Sequence, residues 1–207
     1  MFFSDKNLLI LEKKMIKHEE LYKEVKNVLS EKRFKHSERV VKRAIQYAKI
    51  YNVDIETVKI VAIAHDIAKE LSEEENKMYI SKYNIELDDI EKINHNLLHA
   101  KIGAYICKNR YGFTDDMANS VRYHTTGREN MSILEKIIYL ADATEEGRKE
   151  CSTKYVDIII DDIDKGMIEV SKWVINRLLE KNKVIHLNTI KCYNYYQNKK
   201  YKNKHKS

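Results

Sequence analysis

Residues 61–71 read Val-Ala-Ile-Ala-His-Asp-Ile-Ala-Lys-Glu-Leu and place an adjacent pair, His65 and Asp66, inside an apolar run. The spacing of the apolar residues predicts a helix from Ile55 to Leu71. Lys69 lies three residues after Asp66 and four after His65, so it shares their face of the predicted helix. Its ammonium group is therefore expected beside any phosphate that the pair helps to bind.

The His-Asp pair gains weight from other residues along the chain. With 8 His and 12 Asp in 207 residues, chance gives roughly half a His-Asp dipeptide per chain, so the pair alone is weak evidence. Further candidates lie on or beside apolar helical runs: His36, His99, His124 and Asp142. Because no single helix can surround a cation, a metal site needs imidazoles and carboxylates from several elements. Together these residues predict a metal site between helices.

Capping signals mark helix boundaries elsewhere. Ser72 with Glu75 and Ser132 with Glu135 have the spacing of capping boxes, and Gly112 is placed to end a helix. Further helices are predicted from His36 to near Asn52, over 97–110, over 114–127 carrying His124, over 132–147 carrying Asp142, and over 156–179. The apolar stripe of the last helix is assigned to the core, with no role in chemistry.

The composition favours an all-α protein. The 207 residues include no Pro and five Gly, so helix breakers are scarce. The length suits one domain with a substantial core. We predict an N-terminal extension over 1–19, a helical domain over 20–190 and a basic tail over 191–207.

The net charge of +6 comes from the C-terminal end. Six of the 38 Lys and Arg residues lie in 191–207, which has no acid, and this leaves 32 basic and 32 acidic residues elsewhere. A short like-charged run usually stays in water, so we predict a solvated tail and no stable nucleic-acid complex. Three Cys, an odd number, suit a reducing compartment, and no run of about 20 apolar residues occurs. A cytoplasmic protein without membrane attachment is expected.

The candidate ligands suggest hydrolysis of a phosphate ester or anhydride. A metal held by His36, His65, Asp66 and Asp142 would keep positions open for water and a substrate oxygen. An ionised Asp142 on so apolar a helix face is costly without a cation, which supports this hypothesis. The ligand types suit iron, manganese, cobalt or zinc, in one or two ions.

The roles of His99 and His124 have two alternatives. They either complete a second metal site with Asp66 as the bridge, or stay free of metal and donate hydrogen bonds to phosphate oxygens. The residues themselves leave both open.

Four segments carry a resemblance to a known family. They are Arg33–Ser37, Ala64–Leu71, Arg122–Arg128 and Met131–Arg148. The chain resembles the HD-domain metal-dependent phosphohydrolases, and among them the YqeK-type symmetrical diadenosine tetraphosphatases. The run His-Thr-Thr-Gly-Arg at 124–128 is the specific part, because all HD relatives share the His-Asp pair.

The resemblance implies an all-α HD-domain helical bundle with a metal site between helices, and cleavage of diadenosine tetraphosphate at its centre into two ADP. It implies an iron site at His36, His65, Asp66 and Asp142. Catalytic roles fall on His65, Asp66, Lys69, His99 and His124. Substrate contacts fall on Arg33, Lys69, Glu70, Leu71, His99, His124, Thr125, Arg148, Ile185, His186, Leu187, Asn188, Thr189 and Ile190, the last six against the base and sugar.

The chain departs from the family pattern in three places. Ala100-Lys101 stands where Gly-Pro is usual after the third histidine, and Glu146 and Leu187 each stand where Pro is usual. All the metal ligands that the resemblance implies are present.

Two other functions compete with this one. One is an HD hydrolase of another nucleotide: a deoxynucleotide, a cyclic dinucleotide or an alarmone. The other is a nucleotide-binding sensor without turnover, or an RNA-associated helical module that uses the basic tail. The aromatic residues Tyr22, Phe34 and Trp173 are candidates for a homodimer interface, with packing in the core as the alternative.

Overall fold

Eleven helices and no strand are found in the residues that the structure, a computed structural model, describes: 15–148, 151 and 154–204. This confirms the all-α prediction. Predictions that fall on residues 1–14 or 205–207 lie outside the described residues. The helices are α1 (His18–Val28), α2 (Glu31–Ile50), α3 (Ile55–Ala64), α4 (Glu73–Lys82), α5 (Asp89–Ile93), α6 (His95–Tyr111), α7 (Asp115–Arg122), α8 (Ile133–Thr144), α9 (Val156–Asp161), α10 (Ile163–Glu180) and α11 (Leu187–Lys204).

The capping signals are confirmed. The hydroxyls of Ser72 and Ser132 each accept a hydrogen bond from the backbone N–H of the Glu three residues on, and the carboxylate of that Glu accepts one from the backbone N–H of the Ser. Gly112 ends α6 in the left-handed conformation, at φ 71°. Local side-chain chemistry thus fixes where these helices begin or end.

Helix α3 is the centre of the bundle. All of its residues from Ile60 to Ala64 are buried, and it packs against α1, α2, α7 and α8. A helix that is apolar all round is stable only when neighbours cover every face. Its C-terminal end therefore delivers His65 and Asp66 into the interior of the protein.

The prediction that α3 continues to Leu71 is wrong, because the helix ends at Ala64. Beyond it the backbone makes tighter turns, in which the N–H of Ile67 bonds the carbonyl of Ala64 and that of Lys69 bonds Asp66. In a regular helix, adjacent residues point about 100° apart. Nε2 of His65 nevertheless lies 3.5 Å from Oδ2 of Asp66, so both side chains reach one centre from the turns that follow α3.

Two further predicted helices also have different bounds. The helix predicted over 114–127 ends at Arg122, so that His124 lies in the turn that follows. The helix predicted over 156–179 is two helices, because Asp162 has an extended φ of −154° and its side chain caps α10 through the N–H groups of Asp164 and Lys165.

The C-terminal segment packs onto the bundle. Helix α11 begins inside the predicted domain and runs through most of the predicted tail, against α10. Cys192 and Tyr196 are buried, and the hydroxyl of Tyr196 accepts a hydrogen bond from the backbone N–H of Met131. The prediction of a solvated tail is wrong for this apolar face of α11. No helix in the described part of the chain has the length and apolar character to cross a membrane.

Candidate active site

Two imidazoles and two carboxylates meet where α2, α3 and α8 converge. His36 comes from the second turn of α2, His65 and Asp66 follow α3, and Asp142 lies in the last turn of α8. The Nε2 of His36 is 3.1 Å from Oδ1 of Asp142 and 3.7 Å from Oδ2 of Asp66. The Nε2 of His65 is 3.5 Å from Oδ2 of Asp66 and 4.0 Å from Oδ1 of Asp142. All four predicted ligands are therefore brought together.

The histidine rings are oriented for metal binding. Nδ1 of His36 lies 3.2 Å from Oε1 of Glu145, and Nδ1 of His65 lies 2.7 Å from the carbonyl oxygen of Ala62. Each oxygen accepts from an Nδ1–H, which leaves Nε2 with a lone pair. Both Nε2 atoms are buried and have no hydrogen-bond partner among the described residues. Buried lone pairs beside carboxylates fit a divalent metal ion.

A second histidine pair faces the other oxygen of Asp66. Nε2 of His99 lies 3.1 Å and Nε2 of His124 3.5 Å from Oδ1 of Asp66, and the two nitrogens are 3.2 Å apart. Nδ1 of His124 donates to the carbonyl of Val121 at 2.7 Å. Asp66 thus stands between two groups of imidazoles, each with the spacing of metal ligands.

The surroundings keep both carboxylates ionised. Burial on its own raises the pKa of Asp66, but His65, His124 and His99 hold that pKa well below its usual range. Burial likewise raises the pKa of Asp142. Arg148 and His36 have the larger effect, so the pKa of Asp142 lies well below its usual range. Both groups can therefore serve as anionic ligands.

Three cations surround the carboxylates. Nη1 of Arg33 lies 2.9 Å from Oδ2 of Asp66, and Nη2 of Arg148 lies 2.8 Å from Oδ1 of Asp142. Nζ of Lys69 lies 3.3 Å from Nδ1 of His99. These residues line a cavity of about 280 Å³. Positive groups around a cavity with two carboxylates suit a phosphate chain and a cation together.

Burial shifts the pKa values of the base groups in this cavity. It lowers the pKa of His99 to about 4, against the opposing hydrogen bond to Asp66. Burial also lowers the pKa of Lys69, although the negative charge of Asp66 acts to raise it. His99 is accordingly neutral near pH 7.

The predicted base and sugar segment lies at a second, smaller cavity of about 60 Å³. Thr125 lines both this cavity and the catalytic one. Nε2 of His186 lies 2.7 Å from Oδ2 of Asp88, and Nδ1 of His186 accepts from the N–H of Asn188. His186 and Asn188 line the cavity, Thr189 is buried, Ile185 and Ile190 are partly buried, and Leu187 is exposed.

Glu70 and Leu71, which are also predicted to contact substrate, lie outside the lining of the catalytic cavity. The carboxylate of Glu70 accepts hydrogen bonds from the backbone N–H and the hydroxyl of Ser30, the N-cap of α2. Leu71 is partly buried and packs against the core. The contact of both residues with substrate therefore stays a prediction.

The three departures from the family pattern are each accommodated. Lys101 is buried in an ion pair with Glu91. Glu146 is exposed and pairs with Lys42. Leu187 begins α11 with its side chain largely in solvent. None of them displaces a predicted metal ligand.

Sequence reasoning missed two groups of residues. Glu145 is buried and binds the ring of His36 and the guanidinium of Arg39. Its position three residues after Asp142 is the one signal in the sequence. Trp173 and Arg177 of α10 line the catalytic cavity, although that helix was assigned only to the core. Helical periodicity identifies the buried stripe but not what lies beside it.

The chain is similar to several known proteins. The HD-domain family matches residues 33–147. A symmetrical bis(5'-nucleosyl)-tetraphosphatase of Staphylococcus aureus is 36% identical over 83% of this chain and 90% of its own. One of Bacillus subtilis is 34% identical over 83% and 92%.

A solved structure also matches the whole fold. It is described as a predicted HD superfamily hydrolase involved in NAD metabolism from Clostridium acetobutylicum. Its sequence is 35% identical, the TM-score is 0.83, and the match covers 90% of this chain and 100% of that one. The chain belongs to the HD-domain family, in the group of relatives named symmetrical bis(5'-nucleosyl)-tetraphosphatases.

Proposed function

We propose that this protein hydrolyses diadenosine tetraphosphate at its centre, so that one water and one substrate give two ADP. The observation that carries the proposal is the buried meeting of Asp66, Asp142 and two imidazoles in a cavity that also presents Arg33, Lys69 and Arg148. Relatives of the same length that are named for this reaction support it.

The metal is proposed to be iron, held by His36, His65, Asp66 and Asp142. A divalent ion in such a site supplies Lewis-acid chemistry, since it lowers the pKa of a bound water and withdraws charge from a phosphoryl oxygen. Imidazole and carboxylate ligands also suit manganese, cobalt and zinc. Iron follows from the family resemblance.

One metal per chain is favoured by the hydrogen bonds of His99. If the ammonium of Lys69 donates to Nδ1 of His99, a neutral His99 carries its proton on Nε2 and has no lone pair there for a metal. That Nε2–H then donates toward Asp66 or His124. We therefore propose that His99 binds no second ion, and that its Nε2–H donates to a phosphate oxygen in place of these partners when substrate is bound.

The cations have a separate role in the reaction. Arg33, Lys69 and Arg148 surround the place where negative charge accumulates on the phosphate chain as the central anhydride bond breaks. Fixed donors there stabilise the transition state more than the ground state. One adenosine is proposed to lie past Thr125, against the segment 185–190.

The test is incubation of the purified protein with diadenosine tetraphosphate in the presence of Fe²⁺, with the products separated by chromatography. ADP as the only nucleotide product, abolished by a chelator, is expected. Asp66→Ala and Asp142→Ala are expected to lose turnover and keep the helical circular-dichroism spectrum. Asp89→Asn, at a side chain 96% exposed, is the matched control.

Other outcomes would change the proposal. ATP and AMP as products would show asymmetric cleavage. Faster turnover of a deoxynucleotide, cyclic dinucleotide or alarmone than of diadenosine tetraphosphate would show that the protein is an HD hydrolase of another substrate. Tight nucleotide binding without turnover in metal-loaded protein would support the alternative function of a nucleotide-binding sensor. We also propose a cytoplasmic location, in which the three buried cysteines, Cys107, Cys151 and Cys192, remain reduced.

The candidate homodimer and the expected lack of a nucleic-acid complex stay predictions. Phe34 is buried in the core, and Tyr22 packs edge-on against it while donating to Glu38. Trp173 lines the catalytic cavity. These aromatic residues therefore have intramolecular roles, and a dimer interface has to be sought by measuring the mass in solution.

A further inference from the structure

One wall of the catalytic cavity comes from α10. Trp173, Arg177 and Lys181 line this cavity together with Asp66 and Asp142. Trp173, Arg177 and Lys181 are spaced four residues apart, so they follow one face of α10 to Lys181, the residue just past its C-terminal end. The wall presents an indole ring and two cations to the cavity in which the phosphate chain reacts.

The cations of this wall differ in their partners from the other cations of the cavity. Arg33 and Arg148 each bind a carboxylate of the site, whereas neither Arg177 nor Lys181 forms an ion pair with any residue that the structure describes. The guanidinium carbon of Arg177 instead lies 5.1 Å from the centre of the Trp173 ring. Unpaired cations beside an aromatic ring suit a ligand that has both phosphate and a planar base.

The catalytic cavity shares lining residues with two others. Thr125 also lines the smaller cavity of His186. Trp173 and Arg177 also line a cavity of about 260 Å³, whose other lining residues include Asn176 and the acidic residues Glu169 and Glu180. These two neighbouring cavities have no lining residue in common, so they leave the catalytic cavity past different side chains.

A substrate that is cleaved at its centre has two equal nucleotide arms, and the Thr125 side receives only one. We propose that the α10 wall binds the second arm, with adenine against the indole of Trp173 and the phosphates against Arg177 and Lys181. This inference rests on the proposed function and assigns residues to the half of the substrate that leaves as the second ADP.

The experiment compares diadenosine tetraphosphate with adenosine 5'-tetraphosphate, which keeps the phosphates and lacks the second nucleoside. The binding constant of the second compound is read as its KM or as its Ki against the first. In Trp173→Ala the KM for diadenosine tetraphosphate is expected to rise about tenfold, as for loss of a base–aromatic stack. The constant for adenosine 5'-tetraphosphate is expected to stay within about twofold, and Trp173→Phe to restore most of the difference.

The controls separate this inference from the proposed function. Wild-type conversion of diadenosine tetraphosphate to ADP tests the function, and the Trp173 comparison tests the second arm alone. Leu179→Ala removes an exposed apolar side chain of the same helix and is expected to change neither constant. If Trp173→Ala weakens the binding of both compounds equally, or of neither, Trp173 does not bind the second nucleotide arm.

Discussion

The Nδ1 of His36 lies 3.2 Å from the Oε1 of Glu145, although 109 positions separate the two residues. Glu145 is buried, and it also accepts hydrogen bonds from Arg39 and from the backbone N–H of Gly147. A carboxylate fixed in this way orients the imidazole and increases its basicity toward a metal at Nε2. The end of α8 thus supports a ligand that α2 supplies.

Glu145→Gln should weaken metal binding. We expect the affinity for Fe²⁺ to fall about 10- to 100-fold, the usual range for loss of a partner to a ligating histidine. Metal titration of the apoprotein measures it. Glu146→Gln changes the neighbouring residue, which is exposed and pairs with Lys42, and should leave the affinity unchanged. Equal affinities in the two variants would show that Glu145 does not orient the ligand.

His124→Asn should separate turnover from metal content. With one metal per chain, we expect the variant to keep its full metal content while kcat falls by about 10²- to 10³-fold through loss of transition-state stabilisation. His36→Gln should instead lose the metal. Elemental analysis and steady-state kinetics give both readouts. Loss of half of the bound metal in His124→Asn would favour a two-metal site.

Gly127→Ala should destabilise the turn that carries His124. Gly127 has φ +64°, and a Cβ there would lie 2.6 Å from Sγ of Cys192. The strain and the overlap together cost on the order of 2–4 kcal/mol, to be measured by chemical denaturation.

Gly103→Ala is the control for that change. Gly103 lies inside α6, where a Cβ meets neighbours at 3.4 Å or more, and better helix propensity offsets the tighter packing. We expect a change within about 1 kcal/mol. If Gly127→Ala is as stable as this control, Cys192 of α11 does not restrict the space beside Gly127.

Tyr196→Phe should show that the C-terminal helix is part of the core. Tyr196 is 1% exposed, and its hydroxyl bonds the N–H of Met131. Leaving that N–H without a partner is expected to cost about 1–3 kcal/mol of unfolding free energy. Tyr201→Phe, at a side chain 54% exposed, should cost less than about 0.5 kcal/mol. Matching denaturation curves for the two variants would contradict this.

Asp164 should make stability depend on acid pH. Burial raises the pKa of Asp164, but Lys136 and Lys199 lower it by more. A native pKa below the unfolded one means that the stabilisation is present above about pH 4 and lost as pH falls further. Asp164→Asn is expected to lose about 1 kcal/mol at pH 7 and less at pH 3.

The control for Asp164 is Asp161→Asn, at an exposed carboxylate that pairs with Lys165. It should change the unfolding free energy by less than about 0.5 kcal/mol at either pH. A difference between Asp164→Asn and wild type that grows as the pH falls would have the wrong sign.

The sequence by itself determined the all-α class and the capping boxes at Ser72 and Ser132, and it predicted the metal-binding residues from His36 to Asp142. These follow from local chemistry: a cap bonds a backbone group three residues away, and helical periodicity shows which face is buried. Metal-ligand residue types are also read directly from the chain. Local signals thus identified the components of the site.

Only the tertiary structure decided how these components meet. His65 and Asp66, just past the end of α3, meet His36 of α2 and Asp142 of α8, and Glu145 contacts the ring of His36 across a long sequence separation. Trp173 reaches the catalytic cavity because α10 packs beside α8. Such contacts depend on burial and packing between distant segments, which periodicity within one helix does not encode.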